Sequence, residues 1–198
     1  MAASDGSGDA RSQLRELAEL AAAVADSPLP DQVEFAARMA TTALREGRCL
    51  FFCGNGGSAA DAQHMAAEYV VRFRRDRRAL AAVALTTDTS VLTAGANDNG
   101  YQTVFARQIE ALGRPGDVLF LHSTSGESDN LLLAADAARA RSIHTVALLA
   151  RGGGRLKDRV DHALVVPTDS TAHAQELHLA MGHAICELVD RALSEGGG

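Results

Sequence analysis

The chain has 198 residues, 46% of them hydrophobic and 22% charged, which is typical of one soluble globular domain with a full core. Its net charge of -6 argues against a nucleic-acid-binding surface, which needs a basic stripe. No apolar run approaches the roughly 20 residues of a membrane-spanning helix, and residues 1–9 lack the layout of a secretion signal. Three cysteines fit a reducing compartment, so we expect a cytoplasmic protein with neither nucleic-acid nor membrane partners.

Two helical segments precede the first strand-like run. Residues 1–10 are small and acidic and predict a disordered tail. A helix is predicted over 11–25, where Leu14 and Leu17 share one face, and a second from about 31 to 46, ending at Gly47. Two helices are an unusual preface to an α/β domain, and such a preface often packs against another subunit. We therefore expect a homo-oligomer.

Strand-like and helical patterns alternate after this preface. Apolar runs without polar alternation, which are typical of strands covered on both faces, lie at 49–53, 81–85, 118–121, 145–150 and 163–166. Helices are predicted at about 58–73, 102–112, 129–141 and 171–194, and residues 195–198 as a frayed tail. The alternation predicts one α/β domain over 11–194 with a doubly wound parallel sheet. Its ligands should bind beyond the carboxyl ends of the strands.

The first strand-like run ends in a glycine-rich turn, Gly54-Asn55-Gly56-Gly57-Ser58, that opens directly into a helix. Ser58 is predicted to cap this helix, with Asp61 near a capping-box position. Such a turn forms an anion site, because free backbone N–H groups and the helix dipole point at one spot. One turn further, His64 and Glu68 stand at i and i+4 and share a face. The sequence therefore couples a phosphate-type pocket to an imidazole and a carboxylate.

A second polar turn, His122-Ser123-Thr124-Ser125-Gly126-Glu127-Ser128-Asp129-Asn130, follows the 118–121 strand. Its hydroxyls and glycine can wrap a phosphate with O–H and N–H donors, although a simple Ser/Thr-rich capped turn explains it equally well when it is taken alone. The segments 86–90 and 95–100 are predicted as loops, with Asp88 as a helix cap. In the second, Asn97 and Asp98 are either sugar ligands or ordinary turn formers.

The last predicted helix carries Gln175 and His183, which are eight residues apart and project to nearly the same side. Together with His64 and Glu68 they form a nitrogen and oxygen set suited to a divalent metal such as zinc. Without the glutamine, the set is equally consistent with a purely organic acid/base pair. Both interpretations require the two helices to meet, which spacing alone does not establish.

These motifs, in this order, resemble the phosphoheptose isomerase (sedoheptulose-7-phosphate isomerase) family of the sugar isomerase (SIS) domain superfamily, over about residues 31–194. The resemblance implies a flavodoxin-like, five-stranded parallel sheet flanked by helices, with the N-terminal helices used in oligomerisation. It also implies a homotetramer with active sites between subunits. The implied reaction is the ketose–aldose isomerisation of sedoheptulose 7-phosphate to D-glycero-D-manno-heptose 7-phosphate through an enediol, for heptose biosynthesis.

The resemblance also assigns roles to residues. One zinc ion per site would be bound by His64, Glu68, Gln175 and His183, and Glu68 and His183 would be the catalytic acid/base pair. The substrate would contact Glu68 and Gln175 and, in addition, Asn55, Gly56, Gly57, Ser58, Asn97, Asp98, Ser123, Thr124, Ser125 and Ser128. Among these, the serines and Thr124 would hold the phosphate, while Asn55, Asn97, Asp98 and Thr124 would lie along the sugar.

Three residues depart from the family pattern. His122 and Glu127 are unexpected in the phosphate turn, where Glu127 would add negative charge near a dianion unless it points away. His173 stands where the family commonly has an arginine.

Two other functions remain open at this stage. One is a non-catalytic SIS protein that binds a replication initiator, which the complete set of four metal ligands disfavours. The other is a SIS isomerase for a different phosphosugar, such as a hexulose or amino-sugar phosphate. A dinucleotide-binding oxidoreductase is poorly supported, because Gly54-x-Gly56-Gly57 lacks the spaced third glycine of that fingerprint.

Overall fold

The computed structural model of the chain describes residues 9–194 and contains one five-stranded sheet. The strands pair in the order β2-β1-β3-β4-β5, and every pairing is parallel. Their bounds are β1 Leu50–Gly54, β2 Ala82–Ala84, β3 Val118–Ser123, β4 His144–Leu149 and β5 His162–Val165. The predicted strands and the doubly wound fold class are therefore confirmed. The strand order reverses between β1 and β3, which is where such sheets bind ligands.

Helices cover both faces of this sheet. Their bounds are α1 Ala10–Ala25, α2 Leu29–Arg45, α3 Gly57–Val70, α4 Thr89–Asn99, α5 Val104–Leu112, α6 Asp129–Ala140 and α7 Thr171–Ser194, with 3₁₀ turns at Tyr101–Thr103 and Arg151–Arg159. All six helices predicted from the sequence are confirmed. None of the described helices is long and apolar enough to cross a membrane.

The predicted loops at 86–90 and 95–100 were wrong from residue 89 onward, because α4 runs from Thr89 to Asn99. Its sequence gives little helical periodicity, so the pattern carried no signal. The helix forms because Asp88 caps it, as predicted, with its carboxylate accepting the N–H of Val91 at 3.0 Å. Leu92 and Ala96 then pack against the core.

The chain ends differ slightly from prediction. Residues 1–8 and 195–198, which hold most of the two predicted tails, lie outside the described residues. Asp9 caps α1 by accepting the N–H of Ser12 at 2.7 Å, and Ala10 begins the helix. The first helix therefore begins one residue before its predicted start at Arg11. Gly47 follows the end of α2 with a φ of +73°, as its predicted position requires.

The sheet separates two apolar cores. Along β1, Leu50 and Phe52 face one core, and Phe51 and Cys53 face the other. This two-sided burial explains why the strands lack polar alternation. Helices α2, α3 and α7 contribute to the first core and α5 and α6 to the second. The two helices that carry the candidate metal ligands, α3 and α7, thus lie on the same face of the sheet.

Candidate active site

The turn between β1 and α3 is shaped by glycine. Gly56 is the residue before the helix and has a φ of +58°, a conformation that side chains rarely adopt. A Cβ built on Gly54 would lie 2.5 Å from the carbonyl oxygen of Ser58, so the chain folds back too closely for a larger residue. The prediction that Ser58 caps α3 was wrong, because the helix begins one residue earlier and Ser58 is buried within its first turn.

This turn presents backbone donors to a ligand. The N–H groups of Ser58 and Ala59 donate to the carbonyls of Asn55 and Gly56, at 3.1 and 3.0 Å. Among the described residues this leaves the N–H groups of Gly56 and Gly57 at the helix N-terminus, where the dipole favours an anion. Anion binding at this turn stays a prediction.

The second turn lies directly beside the first. Gly54, the last residue of β1, pairs with His122 of β3, so both turns leave the carboxyl edge of neighbouring strands. Within the second turn, Ser123 Oγ accepts the N–H of Gly126 at 3.0 Å, and Ser125 Oγ accepts the N–H of Glu127 at 3.3 Å. Because each of these oxygens is used as an acceptor, each hydroxyl proton remains available to donate to a ligand.

His122 and Glu127 both point away from this turn. His122 lies in β3, is 1% exposed, and faces the core; burial, with a smaller contribution from His178, lowers its pKa to about 3. The carboxylate of Glu127 accepts hydrogen bonds from Arg155 Nε at 2.6 Å and from the Arg155 backbone N–H at 2.9 Å. These contacts hold the pKa of Glu127 below its usual range. Its negative charge is therefore paired rather than directed at a bound phosphate.

The candidate metal ligands of α3 and α7 do converge. His64 Nε2 lies 3.0 Å from His183 Nε2 and 3.2 Å from Glu68 Oε1. One ligand atom from each of the three residues falls within 4.8 Å of the others. These separations suit a zinc ion, whose nitrogen and oxygen ligands each stand about 2.0–2.2 Å from the metal. Burial, followed by the neighbouring His64, lowers the pKa of His183, which favours the neutral imidazole that a metal needs.

Gln175 lies against the N-terminal end of α3, next to Gly57. A Cβ built on Gly57 would stand 2.6 Å from Gln175 Nε2, so the amide lies across the N-terminal end of α3. Within residues 9–194, Gln175 makes no hydrogen bond to His64, Glu68 or His183. The structure therefore places this side chain beside the anion-binding turn, and its role as a metal ligand stays a prediction.

Two residues that were not selected from the sequence hold Asn55. Its Nδ2 donates to Asn130 Oδ1 at 2.9 Å, while its Oδ1 accepts from Asn130 Nδ2 at 2.8 Å and from the Tyr101 hydroxyl at 3.2 Å. One N–H of Asn55 is left for a ligand. Asn130 is the last residue of the second turn, so its position in the sequence could have indicated a role in the site. No sequence feature indicated Tyr101.

The predicted sugar ligands Asn97 and Asp98 lie on the exposed end of α4. Asn97 Nδ2 donates to Asp98 Oδ1 at 2.8 Å. In the described part of the chain, neither side chain hydrogen-bonds to another predicted site residue. Their contact with a sugar stays a prediction.

His173 links two helices at the position where an arginine is common. Its Nδ1 lies 2.9 Å from Glu176 Oε2, and its Nε2 lies 3.7 Å from Glu16 Oε2 on α1. The hydrogen bond to Glu176 is the main cause that raises the pKa of His173. A raised pKa favours the cationic form of this histidine.

Comparison with known proteins identifies the family of the chain. The model of the SIS domain family matches residues 14–150. The chain is 49% identical over 186 residues to a phosphoheptose isomerase of Akkermansia muciniphila, covering 94% of this chain and 97% of that protein. It is 53% identical over 170 residues to a phosphoheptose isomerase of Roseiflexus, covering 86% of each.

Solved structures show the same similarity. A phosphoheptose isomerase from Francisella tularensis superposes with a TM-score of 0.88 at 33% identity, covering 91% of this chain and 96% of that one. A phosphoheptose isomerase from Neisseria gonorrhoeae superposes with a TM-score of 0.86 at 41% identity, with the same coverage. The fold and the sequence thus agree on one group of relatives.

Proposed function

The chain belongs to the SIS domain family and, within it, to the phosphoheptose isomerases, and from this membership we infer that it isomerises sedoheptulose 7-phosphate for heptose biosynthesis. The product is D-glycero-D-manno-heptose 7-phosphate. The observation that carries this proposal is the convergence of His64, Glu68 and His183 near two anion-binding turns. A non-catalytic protein that binds a replication initiator and an isomerase for another phosphosugar are not favoured, because the relatives named above are phosphoheptose isomerases.

The reaction moves a carbonyl from C2 to C1. A base takes a proton from C1 of the ketose, the carbonyl oxygen on C2 gains a proton, and an enediol forms. A proton is then delivered to C2, and the hydroxyl on C1 loses its proton to become the aldehyde. We assign Glu68 as the base and His183 as the acid, since a carboxylate and an imidazole suit these transfers.

One zinc ion would be held by His64, Glu68 and His183, with Gln175 as the fourth ligand. When bound, zinc would polarise the carbonyl and stabilise negative charge on the oxygens beside the reacting carbons. Metal binding requires a neutral imidazole, and the lowered pKa of His183 favours that form. Asn55, Asn97, Asp98 and Thr124 are proposed to orient the sugar so that C1 and C2 lie beside this group.

The phosphate is proposed to be held by neutral donors. These are the N–H groups of Gly56 and Gly57 and the hydroxyls of Ser58, Ser123, Thr124, Ser125 and Ser128. In support, the Ser123 and Ser125 oxygens accept backbone hydrogen bonds, which leaves their hydroxyl protons free to donate to a ligand. The pairing of Glu127 with Arg155 also removes an unbalanced negative charge from beside the dianion.

We further propose a cytoplasmic homotetramer with its active sites between subunits. In support, Val24 alone among the residues of α1 is buried, and Leu14 is 68% exposed. An apolar groove between α1, α2 and α7 continues this surface, lined in part by Leu29, Val33 and Met181. A second copy of the chain is the occupant that the resemblance implies. The free cysteines, none of them paired within the described residues, suit a reducing compartment.

The test combines metal analysis with an isomerase assay on sedoheptulose 7-phosphate. We expect one zinc per chain, conversion to the aldose, loss of activity on chelation, and recovery when zinc is returned. Activity on a hexulose or amino-sugar phosphate alone would support the other isomerase. Absence of both zinc and turnover would support the non-catalytic protein.

A further inference from the structure

The ring of His183 packs against an aromatic side chain that the proposed mechanism does not use. Phe73 and His183 stack with ring centroids 5.3 Å apart and an interplanar angle of 17°. Phe73 is partly buried and follows the C-terminal end of α3. The contact of His183 with His64 is tilted instead, with ring centroids 5.1 Å apart and an angle of 59°. Phe73 thus supplies the flat surface against which the imidazole lies.

The backbone next to Phe73 is anchored to α7, the helix that carries His183. Asp190, 1% exposed and two turns beyond His183, accepts the N–H groups of Arg74 and Arg75 with its Oδ2, at 3.1 and 3.3 Å. Its Oδ1 accepts Arg77 Nε at 2.6 Å. The position of Phe73 is therefore set by a buried hydrogen-bond network and not by its own packing alone.

The same network reaches the other half of the candidate metal site. Arg77, whose side chain is 6% exposed, donates from Nη2 to the backbone carbonyl of Glu68 at 2.8 Å. On the Phe73 ring itself, the Arg74 guanidinium lies 5.2 Å from the centroid, a distance at which a cation is attracted to the ring. The segment is thus tied to both helices that supply the ligands.

His183 needs such a support. The torsion that turns a histidine ring about its Cβ–Cγ bond is broad, so a rotamer does not fix the plane of the ring. A histidine that binds a metal is usually oriented by a hydrogen bond from its second ring nitrogen. Among residues 9–194, none hydrogen-bonds to His183 Nδ1. The stacked phenyl ring is the contact that can take over this task.

We propose that Phe73 is a positioning residue that fixes the imidazole plane of His183, so that Nε2 points toward His64 and Glu68. This inference rests on the proposed function, because it takes His183 as a metal ligand and a catalytic acid. Removing the flat face should leave the ring free to rotate away from the metal.

The test compares Phe73→Leu, which keeps an apolar side chain without a flat face, with Phe73→Tyr, which keeps the face. Loss of a group that orients a ligand typically weakens metal binding by about 10- to 100-fold, so we expect Phe73→Leu to weaken zinc binding about 10-fold. We expect kcat to fall by a similar factor while KM changes less than about twofold. The visible spectrum of the cobalt-substituted protein should also change. Phe73→Tyr should match the unaltered protein in zinc affinity, kcat, KM and cobalt spectrum.

A matched control is Phe35→Leu. Phe35 is an exposed phenylalanine that also contacts a histidine ring, that of His162, with centroids 4.9 Å apart, but lies outside the candidate site. This variant should bind zinc and turn over substrate as the unaltered protein does. Phe73→Met, another variant without a flat face, repeats the test if Phe73→Leu does not fold.

Unchanged zinc affinity and cobalt spectrum in Phe73→Leu would overturn the proposal, as would an equal loss in Phe73→Tyr. Zinc affinity and the cobalt spectrum are measured without substrate. If the unaltered protein has no isomerase activity but Phe73→Leu still changes both, the proposed function is refuted and the inference about Phe73 stands. If the unaltered protein binds no metal, the NMR chemical shifts of the His183 ring protons in the metal-free protein test the proposal. Phe73→Leu should then remove the upfield shift that a stacked phenyl ring causes, and its persistence would overturn the proposal.

Discussion

At the scale of single residues, the Glu68 carboxylate is the group on which the proposed chemistry most depends. Its Oε1 stands 3.2 Å from His64 Nε2, with Glu68 and His64 on the same face of α3. Glu68→Gln keeps the shape but removes both the negative charge and the base. We expect turnover to fall by roughly 10²- to 10⁴-fold in the isomerase assay, the range that a general base contributes.

The fold should not change in Glu68→Gln, which circular dichroism and thermal unfolding can check. Glu176→Gln is a suitable control, because Glu176 lies on α7 but pairs with His173. Near-normal turnover in Glu68→Gln would remove Glu68 from the mechanism.

His122 is a buried imidazole whose two ring nitrogens have no hydrogen-bond partner among the described residues. Burial, with His178 adding to it, lowers its pKa from 6.5 to about 3 in the folded protein. Because His122 binds a proton more readily in the unfolded chain, its ionisation leaves stability unchanged above pH 6.5 and lowers stability as the pH falls toward about 3. The slope should approach about 1.4 kcal/mol per pH unit.

The free energy of unfolding in urea, measured across this pH range, tests the effect. His122→Leu should lose less stability on acidification than the unaltered protein. It should also be more stable at neutral pH by about 1 kcal/mol, because it removes buried polar atoms that lack partners. His144→Leu, at an exposed histidine, is the control. Parallel pH curves for His122→Leu and the unaltered protein would contradict the assigned cause.

At the scale of secondary-structure elements, the parts predicted from the sequence were those with a strong local pattern. The strands were predictable because burial on both faces makes them continuous apolar runs, and α2 and α5 because their apolar residues repeat with the helical period. The sharing of one helix face by His64 and Glu68 also follows from local spacing. These features depend on residues close together in the chain.

The features that were missed depend on distant contacts or on a single capping bond. Helix α4 has little periodicity, and the glycine conformation that starts α3 before Ser58 is set by the approach of the turn to the helix. The stacking of Phe73 on His183 joins residues 110 positions apart (183 minus 73), through an anchor at Asp190. Spacing within one helix cannot indicate such a contact.

The link between α7 and the segment after α3 rests on the buried pair of Asp190 and Arg77, whose side chains are 1% and 6% exposed. Burial raises the pKa of Asp190, but the hydrogen bonds from Arg77 and from the Arg74 and Arg75 backbone outweigh it and leave the pKa low. Asp190→Ala leaves the Arg77 guanidinium buried without its partner. We expect a loss of about 3–5 kcal/mol in the free energy of unfolding.

The urea midpoint measures this loss, and a double variant separates its causes. Arg77→Met combined with Asp190→Ala removes both charges and should recover part of the stability that the two single variants lose. Arg159→Met, at an exposed arginine that pairs with Asp136, should cost less than about 1 kcal/mol. Strictly additive losses in the Arg77/Asp190 double variant would show that the two side chains are not energetically coupled.

At the scale of the whole molecule, one chain leaves apolar surface uncovered on the side where its N-terminal helices lie. Leu14 is 68% exposed on α1, and the groove between α1, α2 and α7 is lined mainly by apolar side chains. Monomeric proteins rarely expose large contiguous apolar patches. This uncovered surface supports the proposed tetramer, in which the N-terminal helices would contact another copy of the chain.

Leu14→Glu tests this role by placing a charge on the exposed face of α1. If Leu14 is buried between copies, the variant loses about 1.5–3 kcal/mol per copy from the lost apolar burial alone, and the assembly should dissociate at micromolar concentration. Light scattering coupled to size-exclusion chromatography measures the mass. Because the proposed active sites lie between subunits, turnover should fall together with the mass. The control is Leu133→Glu, at a leucine 38% exposed on α6, which should change neither the mass nor the turnover. A Leu14→Glu protein with the mass of the unaltered assembly would show that α1 does not hold the subunits together.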